Sequence, residues 1–421
     1  MGVSKGLAAR QAALGMLCEV LRKRRLLDVT AADRHGLDPR DAGFARALTL
    51  ETLRRFGQLD ALIRDFVPKP LAPHKAGPTL EILLLGACEL VFLDVAPHAA
   101  VDAANRLAQA DAKAVHFKPL INAVLRRMAR EGREIVAKQD APRLNTPDWL
   151  WSRWCAAYGE ETARAIAAAH AVPPPLDLVW KMQPPDALFD SVQRLPHQNV
   201  ETIAGFEEGA FWVQDAAATL PVYLFGDVKG RRVIDLCAAP GGKAAQLAAL
   251  GARVVAVERD SARLSRLKEN LSRLGLDAEL IEADMRGLEI APAPFVLLDA
   301  PCTATGTIRR HPELPWIKGA SDVTLTAEAG AELLEAAARM TMPGGLLVFA
   351  VCSLEPEEGP EQVEGFFGQH LEFRREALNS EDVFGHSEFL DAHGDLRTLP
   401  CHLASQGGMD GFYATRLRRR S

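Results

Sequence analysis

From Arg232 onward, short runs of valine, isoleucine and leucine alternate with longer amphipathic stretches, and this rhythm restricts the fold more than any other feature of the chain. Arg232 to Leu236 reads as a strand, Lys243 to Leu250 as a helix, Ala252 to Val257 as a strand, Ser261 to Leu274 as a helix and Ala278 to Ile281 as a strand. Phe295 to Leu298, a helix from Thr326 to Met340 and a strand from Leu346 to Val351 continue the series. Runs that are apolar at every position are buried on both faces. Repeated strand-helix-strand units close only as a doubly wound, mostly parallel α/β sheet that receives ligands at its carboxyl edge.

The front of the chain follows another rule. Apolar residues recur at helical spacing from Lys5 to Leu27, Asp41 to Phe66, Thr79 to Leu93, Ala99 to Ala110 and Phe117 to Arg130, with Pro68, Pro70, Pro73 and Pro97 in the loops. No strand pattern intervenes, so residues 1–140 are expected to be all helical. Residues 141–210 read as a connector. In it Asn145-Thr146 caps a helix running to about His170, Pro173-Pro174-Pro175 stops it, and Leu176 to Trp180 is a short strand. Residues 211–421 form the α/β domain.

Charge is divided along the same line. The net charge is -6, yet residues 1–150 carry 23 Lys+Arg against 17 Asp+Glu, and the remaining residues are strongly acidic. A polyanion would therefore dock on the front half or on local patches, among which Arg22, Arg24 and Arg25 form the densest basic run. The simpler reading of that run is a solvated helix face. Seven scattered cysteines form no disulfide framework and no C-x-x-C metal pair, which points to a reducing cytoplasm. No signal-peptide pattern or membrane-length apolar run is read, since the stretch from Ile82 to Cys88 lies between Glu81 and Glu89.

Candidate chemistry gathers at the expected strand ends. Cys237-Ala238-Ala239-Pro240-Gly241-Gly242-Lys243 follows the first strand of the series and opens a helix. Small residues there let a ligand lie against the backbone. The turn is neither the dinucleotide fingerprint nor a phosphate loop, because Ala244 follows Lys243. Glu258 and Asp284 end the next two strands, where acids can meet a ribose and an exocyclic amine, although a strand-end acid is often only a helix cap. An adenosine without phosphates fits this set. Leu298-Asp299-Ala300-Pro301-Cys302 then leads through Gly306 to Arg309-Arg310-His311-Pro312, and Cys352 closes a later strand of the same sheet. Two thiols in one crevice beside Lys243, Arg309 or Arg310 would gain thiolate character. Two inert buried cysteines are the plainer alternative, and the residues alone do not choose between the thiols.

The motifs Asp-Ala-Pro-Cys-x-x-x-Gly-x-x-Arg-Arg-His-Pro, Ala-Ala-Pro-Gly-Gly-Lys and Cys-Ser-Leu-Glu-Pro-Glu-Glu strongly resemble the RNA cytosine-5 methyltransferases, a family using S-adenosylmethionine. Leu50-Glu51-Thr52-Leu53-Arg54, Pro97-His98-Ala99-Ala100-Val101 and Ile121-Asn122-Ala123-Val124-Leu125-Arg126 resemble the NusB type of RNA-binding domain. Together they are similar to the bacterial group acting on 16S rRNA. The resemblance implies a Rossmann-like class I methyltransferase domain behind a NusB-like one. It implies Cys352 as the nucleophile toward a cytosine, Cys302 as the aid to release and Asp299 as the group that orients the base. Residues 237–243, Glu258, Asp284 and Asp299 would hold S-adenosylmethionine, and Arg309 and Arg310 would face RNA. A target carbon buried in a base stack must be unpaired or flipped out. A monomer that needs no metal and no membrane is expected. Thr303-Ala304 and Val351 depart from the family's usual Ser-Gly and Thr, Trp180 stands where an asparagine is usual, and the connector is short. A related enzyme acting on tRNA or another rRNA site, a non-catalytic RNA-binding assembly factor, and a nucleotide-dependent oxidoreductase are the competing readings.

Overall fold

The structure, a computed structural model, describes residues 6–27, 36–69 and 71–421. The expected helix start at Lys5 and the loop proline Pro70 lie outside the described residues. The chain divides into two compact units, Met1–Ala171 with Ile308–Gly319, and Val172–Thr307 with Ala320–Ser421. The boundaries read at 140 and 210 do not mark this division. The connector's helices belong to the first unit and its strands to the second, and twelve residues of the arginine motif segment return to the first.

The first unit is helical among its described residues, with Leu17, Leu48, Leu53, Leu59, Leu62 and Ile82 fully buried in its core. The pattern from Asp41 to Phe66 forms two helices, Pro39–Arg54 and Phe56–Phe66, because the chain leaves helical geometry at Arg55. The restart exposes backbone donors that need a partner. Asn145 supplies one, accepting from the Gln58 N–H at 3.0 Å, while its amide donates to the Gln58 side chain at 2.9 Å. Gly57 permits this approach, since a Cβ there would stand 1.7 Å from the Leu144 carbonyl. Asn145 is thus not the cap of the next helix, which begins at Asp148. The stretch to His170 is likewise two helices, Asp148–Tyr158 and Glu160–His170, broken at Gly159 with φ 80°.

Segment Ile308–Gly319 is fastened into this unit. Trp316 Nε1 donates to the Leu53 carbonyl at 3.1 Å, Arg54 donates to the Arg309 carbonyl at 2.9 Å, and the Phe56 and Trp316 rings lie 4.6 Å apart.

The second unit holds two sheets. Strands β1 (Leu176–Trp180), β2 (Ala187–Phe189), β3 (Val192–Leu195) and β4 (Phe211–Val213) form an antiparallel sheet in the order β2-β3-β1-β4. Only β1 was legible, because strands of three or four residues are too short to show a period. The larger sheet contains β5 (Arg232–Leu236), β6 (Arg253–Glu258), β7 (Glu279–Glu282), β8 (Ala293–Asp299), β9 (Thr341–Val351), β10 (Phe373–Arg375), β11 (Leu396–Thr398) and β12 (Phe412–Arg419). Its order is β10-β12-β9-β8-β5-β6-β7, with β11 paired to β12. Strands β5 to β9 are mutually parallel, and β12 runs antiparallel to each of its partners β9, β10 and β11. Alternate residues of the parallel strands enter two separate apolar clusters, one on each face. The C-terminal arginines serve β12: Arg416 pairs with Asp382 and Arg418 with Glu376, both at 2.9 Å. Among the described residues no helix is long and apolar enough to cross a membrane, and no group of three His, Cys, Asp or Glu is placed to hold a metal.

Candidate active site

The parallel strands deliver their chemistry to one edge. Cys237 follows β5, Glu258 ends β6, Asp284 lies two residues past β7, Asp299 ends β8 and Cys352 follows β9. Since β8 and β9 are neighbours with Asp299 opposite Ala350, their loops start side by side. The Cys302 and Cys352 sulfurs come within 3.5 Å. Its bond to Cys352 first, and burial second, push the Cys302 thiol well above its ordinary range, so Cys302 keeps its proton.

Backbone proximity makes this geometry. Gly306 donates its N–H to the Cys352 carbonyl at 3.0 Å and accepts from the Gly411 N–H at 2.8 Å. A Cβ on Gly306 would lie 1.9 Å from the Gly411 oxygen, so the motif glycine answers to the approach of three segments.

Lys243, in the first turn of helix Gly242–Ala249, lays its Nζ 2.7 Å from Asp299 Oδ2 and 5.1 Å over the Phe412 ring. Burial acts to lower the Lys243 pKa, but the charge and hydrogen bond of Asp299 outweigh it and leave the pKa raised, so the ammonium is retained. Lys243 is buried, whereas the Asp299 side chain is 32% exposed and open to a ligand.

The remainder of the small-residue turn is held from the side. Arg263 Nη2 donates to the Ala239 carbonyl at 2.6 Å and Asn270 to the Pro240 carbonyl at 3.0 Å, both from helix Ser261–Leu274. Ala238, Ala239 and Gly241 are buried, Cys237 and Gly242 partly so, and only Pro240 is exposed. Gly241 has φ 107°, which the turn requires and a side chain resists.

A cavity of about 100 Å³ opens beside this turn, lined by Cys237, Glu258 and Asp284 together with Val257, Arg263, Met285, Pro301 and Leu333, among others. Three of the expected cofactor residues therefore share one wall. Glu258 is 3% exposed and its Oε1 accepts from the Asp260 N–H at 3.1 Å. Its Oε2 has no hydrogen-bond partner, the Arg263 guanidinium standing 3.5 Å away as an ion pair. Asp284 also caps the turn Met285–Gly287 and pairs with Arg286 at 2.6 Å. That bond holds its carboxyl down at about 2. The apolar walls Met285 and Leu333 were invisible in the sequence, because helix Ala320–Met340 reaches them only through the fold.

Two further acids were missed. Asp235 lies within β5, fully buried, with neither carboxylate oxygen hydrogen-bonded. Burial, then the charge of Asp299, push it up to about 8. A charged residue inside an apolar strand was the available signal. Glu358, one of three glutamates in the Cys-Ser-Leu-Glu-Pro-Glu-Glu motif, is 3% exposed and reaches both cysteine loops; nothing in the motif distinguishes it.

The arginines expected at RNA fare differently. Arg309 is fully buried inside the helical unit, so its side chain is not offered to an RNA backbone; Arg310 is partly exposed. The cause is local, since Ile308, Leu314 and Ile317 on either side are core residues that carry the arginine inward with them. Arg22 is bound to buried Glu81 at 2.5 Å and Arg24 to the Ile317 carbonyl at 3.0 Å. Arg25 is exposed and pairs only loosely with Glu19 at 3.1 Å.

A helix-flanked parallel sheet with this turn, these strand-end acids and a clustered thiol pair defines a Rossmann-like methyltransferase domain. The same chain carries a NusB-like helical unit. Residues 222–418 match the family described as 16S rRNA methyltransferase RsmB/F, and residues 7–130 match the NusB family. The ribosomal RNA small subunit methyltransferase B of Pseudomonas putida is 34% identical over 97% of this chain and 98% of its own length. The chain belongs to the RsmB/F family of RNA methyltransferases. Among solved structures, PH0851 superimposes with a TM-score of 0.76 at 23% identity over 100% of both chains. NSun6 from Pyrococcus horikoshii, solved with SFG, gives 0.54 at 19% identity over 65% of this chain and 98% of its own. At these identities both likenesses concern the fold.

Proposed function

We propose that this RNA methyltransferase transfers a methyl group from S-adenosylmethionine to carbon-5 of a cytosine in 16S rRNA, with Cys352 as nucleophile. The observation that carries the reading is the pair of sulfurs 3.5 Å apart at neighbouring strand ends, in the same unit as the Lys243–Asp299 pair. The cavity residues fit the cofactor. Glu258 Oε2 is a buried acceptor without a hydrogen-bond donor, as ribose hydroxyls require, and Val257, Met285 and Leu333 supply apolar walls for an adenine. Asp284 would accept from the exocyclic amine, and turn residues 237–242 would hold the amino-acid end. When bound, S-adenosylmethionine supplies an electrophilic methyl group.

The chain's own groups supply the rest. The Cys352 thiol loses its proton to water as its sulfur bonds to carbon-6 of the cytosine, and the displaced electron pair makes carbon-5 nucleophilic. Negative charge then spreads toward N3, where Asp299 orients the base and the Lys243 ammonium balances it. After methylation the carbon-5 proton passes to water and the sulfur–carbon bond breaks. Cys302, held as a thiol, protonates the departing Cys352 sulfur and takes a proton back from water. Incubation with tritiated S-adenosylmethionine and 16S rRNA, followed by nuclease digestion, is expected to place the label in 5-methylcytidine. Label in another nucleoside, or in tRNA alone, would overturn the assignment.

A further inference from the structure

We infer that Glu358 is the positioning residue that holds the two cysteine loops in register and so sets the Cys302–Cys352 separation. The inference deepens the reading above and rests on it for the role of that separation in release.

Glu358 closes the short turn Pro356–Glu358 and lies buried behind the thiols. Its Oε1 accepts the Thr303 N–H at 2.8 Å and the Thr326 hydroxyl. Its Oε2 accepts the Thr303 hydroxyl at 2.5 Å and the Ser353 hydroxyl. Thr303 directly follows Cys302, and Ser353 directly follows Cys352. One carboxylate oxygen therefore joins the residues adjoining each sulfur, while the other oxygen ties the same loop to helix Ala320–Met340. Four acceptances fill a carboxylate's capacity, and bonds to an ionised acceptor are the stronger kind.

The surrounding bonds converge on the same junction. Ser353 Oγ accepts the Glu355 N–H at 3.0 Å and lies 3.2 Å from the Thr305 hydroxyl, which accepts the Leu354 N–H at 3.0 Å. Arg397 Nη1 fixes the Ser353 carbonyl at 2.7 Å. The charge of Glu358 also contributes to keeping the Cys302 proton in place. Thr303 supplies the hydroxyl that the junction needs.

Glutamine at 358 preserves shape and removes the charge and one acceptor. The test measures how fast diamide, which takes one hydrogen from each thiol, closes a Cys302–Cys352 disulfide; mass spectrometry reads the loss of two hydrogens. Closure in Glu358→Gln is expected to slow by about tenfold or more, with a similar effect in Thr303→Val, no further loss in the double variant and near wild-type closure in Thr303→Ser. Cofactor affinity by isothermal titration should stay within about twofold in every variant, as expected for a group that touches no cofactor. Unchanged closure in Glu358→Gln, or additive losses in the double variant, would overturn the inference. So would slowing matched by an equal loss of cofactor affinity, which marks general collapse of the sheet edge. Because closure needs no RNA, it reports on Glu358 even if addition of Cys352 to a cytosine fails its own test.

Discussion

Each unit buries one ionisable group that its surroundings hold neutral, a histidine in the helical unit and a carboxyl in the sheet unit. In the helical unit the fully buried Arg309 and the nearly buried Arg54 face His170, whose Nε2 has no hydrogen-bond partner. Burial first, then Arg309 and Arg54, drive His170 down to about 3, so the ring is neutral at working pH. In the sheet unit the buried group is Asp235, pushed up to about 8 by burial and by Asp299, with Lys243 opposing. One unit thus excludes a further cation and the other a further anion. Fixed arginines in a helical core serve packing and leave no room for a proton, whereas an acid kept neutral behind Lys243 and Asp299 leaves that pair as the charged couple next to the thiols.

The difference predicts opposite pH responses. An acid whose folded pKa is raised binds more protons folded than unfolded, so between the ordinary carboxylate pKa and about 8 the sheet unit loses stability as pH rises. Asp235→Asn should abolish that slope, a change on the order of 6 kcal/mol across the window. Hydrogen exchange of β5 peptides would read it; an unchanged slope would break the sheet-unit half of the comparison. His170 acts in the other direction. Its folded pKa is lowered, so stability is full above the ordinary histidine value and falls as pH drops toward about 3. His170→Asn should flatten that acid limb for the helix Glu160–His170, by a smaller amount on the order of 5 kcal/mol because the shift spans a narrower window. If the helix loses protection on acidification as fast in the His170→Asn variant as in the unaltered chain, the arginine-flanked pocket does not govern it.

How much the sequence disclosed depends on the range of the interaction involved. Strands β1 and β5 and the helix Ser261–Leu274 have the limits read from the sequence, since apolar period and the Asp260 cap act within a few residues. The candidate-site motifs were likewise visible as strand-end residues, and the structure brings Cys302, Cys352, Asp299 and Lys243 to one sheet edge. Contacts between distant segments were not legible. Nothing near Asn145 announces that it serves Gln58, 87 residues away. Nothing near Glu358 announces Thr303, 55 residues away. The arginine pair misled for the same reason: basic residues in a loop motif read as solvent-facing until the apolar neighbours of Arg309 are seen to enter the helical core.

The central claim assigns different work to two sulfurs that lie 3.5 Å apart. Cys302→Ala should stall release, so that incubation with 16S rRNA and S-adenosylmethionine yields a slow-migrating covalent band on a denaturing gel, with peptide mapping placing the RNA on Cys352. Cys352→Ala should give no band and lower methyl transfer by about a thousandfold or more, the scale expected on losing a covalent nucleophile. A band that accumulates in Cys352→Ala and not in Cys302→Ala would contradict the account and exchange the two roles.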